Sequence, residues 1–339
     1  TLVEMAEQLA ADQRAISQEV LAACRRDLSR FERNIRPGTI LGVGERITEL
    51  AETKMRRVRE SAATAIARIQ KDLREFARTQ RLRDIVVVNL ASTEPPCDER
   101  ALPRRWPELE RLLEDPAHCP LGASSLYAIA ALGLGYPYVN FTPSPGARPR
   151  AICELAELRQ TCHAGCDGKT GETLLKSVLA PMMAQRHWEV MSWVGHNIFG
   201  NLDGKILDAA DNKASKIRSK DQLLANILGY APQTLVSIEY IQSLGEWKTA
   251  WDHVHFRGFL GTPMTLQFIW QGCDSMLAAP LVLDLVRFVY RARRNGDVGV
   301  LSFLGSFFKT PLGSREHAFA SQFEQLLQWS RQIPLDPEK

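Results

Sequence analysis

A short β-branched run that ends in a loop of small polar residues restricts the fold more than any other feature of the chain. Residues 85–95 are IVVVNLASTEP. Consecutive Ile and Val without polar alternation predict a strand buried on both faces, as in parallel sheets. A second unit follows, with a helix at SSLYAIAALG, a strand at residues 136–141 and the loop TPSPG. This alternation predicts an open α/β sheet up to about residue 167.

The loops after these strands mark the expected ligand-binding edge. Ligands of open α/β sheets bind beyond the carboxyl ends of the strands. Three loops of small and polar residues hold that position, namely NLASTEP, NFTPSPG and AGCDGKT. We therefore expect these loops to lie side by side around a ligand.

The second half of the chain has a different pattern. Four strand candidates follow one another with few helices between them, at residues 188–199, 234–243, 248–260 and 262–270. Consecutive strands of this kind predict a mostly antiparallel sheet in a second, α+β unit. Apolar spacing predicts helices at residues 2–33 and 53–80 before the first sheet, and at about 272–294 and 315–332 after the second.

Composition limits the classes of partner. The chain has 339 residues, enough for about two domains, with 42 Lys and Arg against 39 Asp and Glu. The resulting net charge of +3 is too small to mark a nucleic-acid-binding surface. No continuous apolar run of about 20 residues marks a membrane span. Seven cysteines, an odd number, favour a reducing compartment over a disulfide framework, so we expect a cytoplasmic location.

The polar stretch from Asp167 to Asp221 contains six lysines and is expected not to be mainly core. Its first part, Thr170 to Thr173, is predicted to open an amphipathic helix. The free N–H groups of a helix start attract anions, phosphate above all. The alternative is simple N-capping by Thr170. The apolar face of this helix is expected to contain Leu174, Leu175, Val178, Leu179 and Met182.

Lysines with unusual neighbours form the next group of candidates. Lys213, Lys216 and Lys220 would share one helix face. Such a face either is solvated or surrounds a bound anion, in which case repulsion and burial would lower an ammonium pKa and favour proton transfer. Lys309 follows Phe307 and Phe308, so it either snorkels to water or is a desolvated functional lysine.

Two familiar nucleotide-binding motifs fail on spacing. Gly42 and Gly44 would need a third glycine at Ile47, so we predict a turn there. The GKT sequence at 168–170 lacks the first glycine of a P-loop, which would fall on His163. The segment NLDGK likewise lacks the acidic first and twelfth positions of an EF-hand.

Histidine and cysteine give weaker signals. Cys162, His163 and Cys166 offer metal-type ligands without a fourth partner, so a buried or incidental role is favoured over zinc. His253 and His255 alternate along a predicted strand. We expect them on the face opposite the core rather than in a metal site.

Seven segments together resemble the myo-inositol-3-phosphate synthase family, most closely its shorter archaeal and bacterial type. They are VNLASTEP, YVNFTPSPG, DGKTGETLLKSVLAPM, HNIFGNLDGKILDAADNKASKIRSKD, EWKTAWDHVHFRGFLG, DSMLAAPLVLDL and FFKTP. These segments cover nearly the whole chain in the order that the family has.

The resemblance implies a Rossmann-like parallel sheet domain at residues 1–168, with its first βαβ element missing. It implies an inserted α+β catalytic and tetramerisation domain at 169–275, and C-terminal helices at 276–339 that return to the first domain. The implied function is NAD-dependent isomerisation of D-glucose 6-phosphate to 1D-myo-inositol 3-phosphate by a homotetramer. NAD would be reduced and reoxidised within one turnover. A divalent or monovalent cation is left open as a further cofactor.

The resemblance also implies roles for individual residues. Those expected to be catalytic are Lys216, Lys220, Lys248, Lys309, Asp203 and Asn197. Those expected to bind substrate, with its phosphate at the helix start, are Thr170, Gly171, Glu172, Thr173, Phe199 and Asn201. Those expected to bind the cofactor are Ala91, Ser92, Thr93, Asn140, Thr142, Asp167, Asp203 and Asp274. Lys216 and Lys309 are the expected proton shuttles, while Lys220 and Lys248 would hold phosphate and substrate oxygens.

Two departures from the family pattern keep other functions open. The chain starts at TLVEMAEQ, after the strand, glycine-rich turn and helix that grip the cofactor pyrophosphate in the family. Cys166 stands where Gly, Asn or Asp is expected. The alternatives are a non-catalytic sugar-phosphate-binding or structural remnant, and an ordinary NAD-dependent dehydrogenase of a phosphorylated sugar.

Overall fold

The structure is a computed structural model that describes residues 1–11, 15–51, 60–115, 119–202, 204 and 223–334. Its N-terminal part is helical, as predicted, but the stretch predicted as one helix at residues 2–33 forms two helices, with residues 15–17 outside both. The helices are α1 (Leu2–Ala11), α2 (Gln18–Glu32), α3 (Glu45–Leu50) and α4 (Ala62–Gln80). Two of them begin at serine caps, since the hydroxyl of Ser17 accepts from Val20 N and that of Ser61 from Thr64 N.

A parallel sheet forms the first layer that concerns the site. Its strands are β1 (Val87–Asn89), β2 (Tyr138–Asn140), β3 (Cys162–Gly165) and β8 (Gly299–Val300), hydrogen-bonded in that order. Every neighbouring pair is parallel, which confirms the predicted α/β class. The strand β3 is not among the predicted strands, because its four residues, with Gly and His, give no clear strand signal.

Helices connect the strands of this sheet and build its core. They are α5 (Trp106–Leu113), α6 (Ala123–Gly133) and α7 (Arg150–Leu158). Nearly all of α6 is buried, because its small and aliphatic residues pack against α4, α7 and the sheet. The largest core cluster therefore lies on this side of the sheet, with Leu126, Leu132 and Ile152 at its centre.

A second, mixed sheet follows the helix α8 (Glu172–Gln185). Its strands are β4 (Glu189–Phe199), β5 (Gln233–Tyr240), β6 (Trp247–Arg257) and β7 (Pro263–Cys273), in the order β5-β4-β6-β7. The pairs β4–β6 and β6–β7 are antiparallel, as predicted, but β4 and β5 are parallel. The long connection from Phe199 to Gln233 permits this parallel pairing, because a crossover of a dozen or more residues can return the chain to the same end.

Helix α8 covers one face of the second sheet. Met183 packs there with Trp193, Val254 and Phe256. The two histidines of β6 lie on the opposite face, as predicted, because the buried residues of that strand are the even-numbered ones.

The C-terminal part leads the chain back to the first sheet. Helix α9 (Asp274–Asn295) follows β7 directly and places Leu285 and Val289 in a core cluster with Val139 of β2. Helix α10 (Phe319–Gln332) closes the described chain. The predicted boundaries 1–168, 169–275 and 276–339 stay a prediction. Among the described helices, none is long and apolar enough to span a bilayer.

Candidate functional site

The carboxyl ends of three parallel strands meet at one edge of the first sheet. Asn89 pairs in register with Asn140, and Asn140 pairs with Gly165. The amide of Asn89 donates to Asn140 Oδ1 and to Thr142 Oγ1, each at 3.1 Å. Asn140 Nδ2 donates to the backbone oxygen of Ser144 at 2.6 Å. The three loops predicted to lie side by side are therefore bound to one another.

The loop after β1 is anchored by a carboxylate that the sequence analysis did not single out. Glu94 is 4% exposed, and its carboxylate accepts from Ser124 N and Ser124 Oγ at 2.6 Å each. It therefore caps the start of α6 from another loop, and burial raises its pKa. The predicted cofactor residues beside it differ in exposure, since Ala91 is exposed and Thr93 is buried.

Asp167 and Lys309 connect this edge to the second sheet's side of the molecule. Asp167 N donates to Thr142 O at 3.0 Å, and Lys309 N donates to Asp167 O at 2.7 Å. The side chains then form an ion pair, with Lys309 Nζ 2.9 Å from Asp167 Oδ1. The lysine side chain is 17% exposed and the carboxylate 7%. Lys309 is therefore a paired, largely desolvated lysine rather than one that snorkels into bulk water.

Ten of the predicted site residues line a single cleft. The cleft lies between the start of α8, the end of β4, the start of β6 and the start of α9, and its space of about 480 Å³ includes open solvent. Its lining residues are Thr170, Gly171, Glu172, Thr173, Asn197, Phe199, Asn201, Ile238, Lys248, Asp274 and Lys309. Among them Ile238 alone was not expected, because an isolated strand isoleucine carries no chemical signal.

Lys248 and Thr170 meet at the carboxylate that opens α9. Lys248 Nζ is 3.5 Å from Asp274 Oδ2, and Thr170 Oγ1 donates to Asp274 Oδ1 at 3.2 Å. The same ammonium lies 5.7 Å from the centre of the Phe199 ring. These contacts hold the ammonium of Lys248 in place on one wall of the cleft.

The alternative of N-capping by Thr170 is wrong. The cap of α8 is Gly171, which has no side chain to accept a hydrogen bond from the first turn. The hydroxyl of Thr170 instead donates to Asp274. The start of α8 therefore has no side-chain cap from its N-cap residue, and a helix start attracts anions.

Around the cleft, one position has no room for a side chain, and several buried polar atoms lack a hydrogen-bond partner among the described residues. A Cβ on Gly171 would lie 2.5 Å from Trp270 Nε1, so a larger residue cannot stand there without moving the indole. Trp270 Nε1 and both amide atoms of Asn197 are buried without a hydrogen-bond partner among the described residues. Buried polar atoms normally have a partner. A polar ligand in the cleft would supply one.

Burial along residues 167–177 contradicts the expectation that this stretch is not mainly core. Asp167, Lys169, Glu172 and Lys176 are each at most 5% exposed. The apolar face predicted for α8 is also wrong, since Val178 is 46% exposed and the helix buries its polar residues instead. Charged groups tolerate such burial when they are paired.

Lys169 is directed away from the cleft. Its Nζ donates to Gln322 Oε1 of α10 at 2.6 Å, and Gln322 in turn donates to the backbone oxygen of Glu316. Burial, together with a smaller effect of the positive charge of Lys309, lowers the pKa of Lys169 to about 8. This lysine ties the C-terminal helix to the loop that forms the cleft.

The candidates Cys162, His163 and Cys166 lie in the core. His163 is buried in β3, where burial lowers its pKa to about 4, and burial raises the pKa of Cys162 to about 12. Within the described ranges, no group of three His, Cys, Asp or Glu residues is arranged to hold a metal ion.

The turn predicted at Gly42 and Gly44 is confirmed, because these glycines adopt φ values of 65° and 84°.

Several predicted residues lie outside the described part of the chain. They are Asp203, Lys213, Lys216 and Lys220. Asn201 precedes them and accepts from Gly204 N at 3.0 Å. The catalytic roles expected for Lys216, Lys220 and Asp203 stay predictions.

Comparison with known proteins gives the family. An NAD-binding family model described as Myo-inositol-1-phosphate synthase matches residues 6–331. The chain belongs to this family. The curated Inositol-3-phosphate synthase 1 of Bacteroides thetaiotaomicron is 33% identical over 265 residues, covering 74% of this chain and 61% of that protein. The Rattus norvegicus protein of the same name is 32% identical over 271 residues, covering 74% of this chain and 48% of that protein.

A solved structure confirms the fold class. The crystal structure of inositol-3-phosphate synthase from Caenorhabditis elegans matches with a TM-score of 0.84 at 24% identity. The match covers 97% of this chain and 69% of that chain. The chain spans about half to three fifths of the length of the two curated relatives.

Proposed function

We propose that the protein is an NAD-dependent inositol-3-phosphate synthase that isomerises D-glucose 6-phosphate to 1D-myo-inositol 3-phosphate. Family membership supports the reaction class. The observation that carries the proposal is the cleft, whose lining includes Lys248, Lys309 and the start of α8, which has no side-chain cap. An anion anchor and two cations then line one cleft.

The proposed reaction needs both kinds of group. Open-chain glucose 6-phosphate is oxidised at C5, loses a proton from C6, closes by an aldol step onto C1 and is reduced again. NAD, when bound, would supply reversible hydride transfer at C5, so there is no net redox change. The protein must supply cations where enolate and alkoxide charge develops, and a group that moves protons.

The phosphate of the substrate is placed at the start of α8. The backbone N–H groups there carry no side-chain cap, and Gly171 leaves the approach open. A helix start combines free donors with the positive end of the helix dipole. Thr170 and Thr173 line the same end of the cleft.

Lys309 is assigned to the reacting carbons and Lys248 to substrate oxygens. Each ammonium is held by one carboxylate, Asp167 and Asp274 respectively. These ion pairs fix the positions of the two charges, which lets them stabilise developing oxyanions without reorganisation. Lys309 would also hold and move a proton at the oxygen of C5, a role that Lys216 would share.

The cofactor is placed along the carboxyl edge of the first sheet. The residues fit such a group, because three strand ends meet there and the buried carboxylate of Asp167 joins that edge to the cleft. Thr93, Asn140 and Thr142 would line the cofactor, with Asp167 and Asp274 near its nicotinamide end. Asn197 would contribute its unpaired amide to the same region.

A homotetramer is proposed as the working assembly. Leu235 and Ile269, on the sheet face opposite α8, are 54% and 66% exposed, and Phe259 is 85% exposed. Apolar exposure of this kind is typical of an interface. Light scattering at several protein concentrations measures the assembly, and a monomer at every concentration would contradict the proposed tetramer.

A cytoplasmic location is also proposed. All seven cysteines are free thiols, which supports it.

Product analysis tests the proposed reaction. We expect glucose 6-phosphate with catalytic NAD to give inositol phosphate, followed by ³¹P NMR, without NADH accumulating in the ultraviolet spectrum. Stoichiometric NADH without inositol phosphate would instead identify a sugar-phosphate dehydrogenase. Binding of glucose 6-phosphate without any turnover would favour the non-catalytic alternative.

A further inference from the structure

Three ionisable side chains form a solvent-free cluster behind the cleft. Glu172 and Lys176 lie on α8 and are each 2% exposed, and Asp252 lies on β6 and is 0% exposed. Lys176 Nζ is 2.7 Å from Glu172 Oε1 and 3.3 Å from Asp252 Oδ1. The cluster therefore joins the first turn of α8 to the centre of the second sheet.

The surroundings are shaped around this cluster. Trp193 Nε1 donates to Asp252 Oδ1 at 2.7 Å, and the Trp193 ring centre lies 5.8 Å from Lys176 Nζ. Gly195 faces all three side chains. A Cβ there would lie 3.1 Å from Glu172 Oε1, 3.2 Å from Asp252 Oδ1 and 3.3 Å from Lys176 Nζ. Only a residue without a side chain leaves the cluster its full space.

The charge balance of the cluster is defined by its burial. Burial opposes the charge on Lys176, but the two carboxylates outweigh it and raise the pKa of this lysine. Burial raises the pKa of Asp252 against the opposing charge of Lys176, and the charge of Glu172 adds to the rise. Lys176 Nζ lies closer to Glu172 Oε1, at 2.7 Å, than to Asp252 Oδ1, at 3.3 Å. Lys176 therefore pairs most closely with Glu172.

Glu172 stands in a position where its charge matters to a ligand. It is the first residue of α8 and lines the cleft, beside the N–H groups assigned to the phosphate. An uncompensated carboxylate there would repel a phosphate dianion. Stability alone gives no reason for the cluster, since apolar residues of similar volume often stabilise a fold as well as a buried ion group does.

We propose that Lys176 is a positioning residue for the substrate's phosphate: it cancels the charge of Glu172 and fixes that carboxylate so that the start of α8 accepts a phosphomonoester dianion. The inference rests on the proposed phosphate site, and goes beyond it by naming what keeps the site attractive to an anion. Lys176 acts through Glu172 and does not contact the substrate.

A charge cycle tests the inference on the full chain with NAD present. Glucose 6-phosphate is titrated calorimetrically into wild type, Lys176→Met, Glu172→Gln and the double variant. We expect Lys176→Met to weaken binding ~10-fold or more, equal to about 1.4 kcal/mol or more. Glu172→Gln should bind more tightly than wild type, because the negative charge beside the phosphate is removed while Lys176 stays, and the double variant should return to within ~3-fold of wild type.

A purely structural role gives a different pattern. It would lower the melting temperature and the fraction of competent sites while leaving the Kd of the folded protein unchanged. Wild-type affinity in Lys176→Met, or a double variant no tighter than Lys176→Met, would overturn the inference. If Lys176→Met does not fold, Glu172→Gln decides, because binding ~10-fold weaker than wild type would contradict a charge that needs cancelling.

Failure of the phosphate site and failure of this inference give separate results. Absence of glucose 6-phosphate binding by the wild type would remove the proposed site and the inference with it. Binding by the wild type without the charge cycle would remove the inference alone.

Discussion

Because it is buried, Lys169 makes the free energy of unfolding rise with pH. A buried acid whose pKa is raised has the opposite effect. Lys169 is 3% exposed, and burial lowers its pKa from 10.5 to about 8. Between these two values the unfolded chain binds more protons at this site than the folded chain does. The free energy of unfolding therefore rises with pH through this window.

The size of the effect follows from the two pKa values. The gap between 10.5 and about 8 corresponds to about 3 kcal/mol over the whole window. Between pH 7 and pH 9.5, roughly 2 kcal/mol of this should be gained. The variant Lys169→Met keeps most of the aliphatic volume and removes the amine, so it should lack this gain.

Urea unfolding of wild type and Lys169→Met at pH 7, 8, 9 and 9.5 measures the effect. The difference between their free energies of unfolding should shift by about 2 kcal/mol in favour of wild type from the lowest to the highest pH. Other titrating groups cancel in this difference because both proteins contain them. A difference that is constant with pH would refute the reasoning, since it would mean that Lys169 stays charged in the folded chain.

Three further predictions concern the cleft and its frame. Lys309→Met should lower turnover of glucose 6-phosphate by ~10² to 10⁴-fold, because a proton-transfer and charge-stabilising group is lost. The circular dichroism spectrum should stay unchanged. Turnover within a few-fold of wild type would contradict the role of Lys309. Gly171→Ala should weaken glucose 6-phosphate binding by ~10-fold or more, since its Cβ would displace Trp270 or the start of α8, and unchanged affinity in a titration would show that this end of the cleft does not hold substrate. Glu94→Ala should lower the free energy of unfolding by about 1 to 3 kcal/mol, because the buried N–H of Ser124 loses its acceptor, and equal urea midpoints would contradict this anchoring role.

A matched control separates the Lys309 effect from the loss of any lysine. Lys71 lies on α4, is exposed and does not line the cleft. Lys71→Met removes the same charge with the same substitution. It should turn over glucose 6-phosphate at the wild-type rate, and a comparable loss in both variants would point to a general charge effect.

The first sheet could be predicted because its signals are local. The β-branched run of β1 and the loops after β1 and β2 each mark the end of a strand within about ten residues of sequence. Most cleft residues could be named because the family resemblance places them on recognisable segments. The parallel pairing of β4 with β5 could not be predicted, since it depends on a long connection whose path the apolar pattern does not specify.

The buried polar face of α8 shows the limit of reading a helix by its apolar spacing. Leu174, Val178 and Met182 have the spacing of a core face, yet the helix buries Glu172 and Lys176. The cause is Asp252, which comes from a distant strand and pairs with Lys176. Whether a charged residue can be buried depends on such a partner, and the local sequence does not show where that partner is.

The central claim is that one cleft holds the phosphorylated sugar between the start of α8 and the lysines Lys248 and Lys309. A crystal structure of the protein with NAD and glucose 6-phosphate, or a non-reacting reduced form of this sugar, tests it most directly. We expect phosphate oxygens within about 3 Å of the N–H groups in the first turn of α8, with the C5 oxygen toward Lys309. Phosphate bound elsewhere, with neither lysine facing the sugar, would contradict the proposed substrate site.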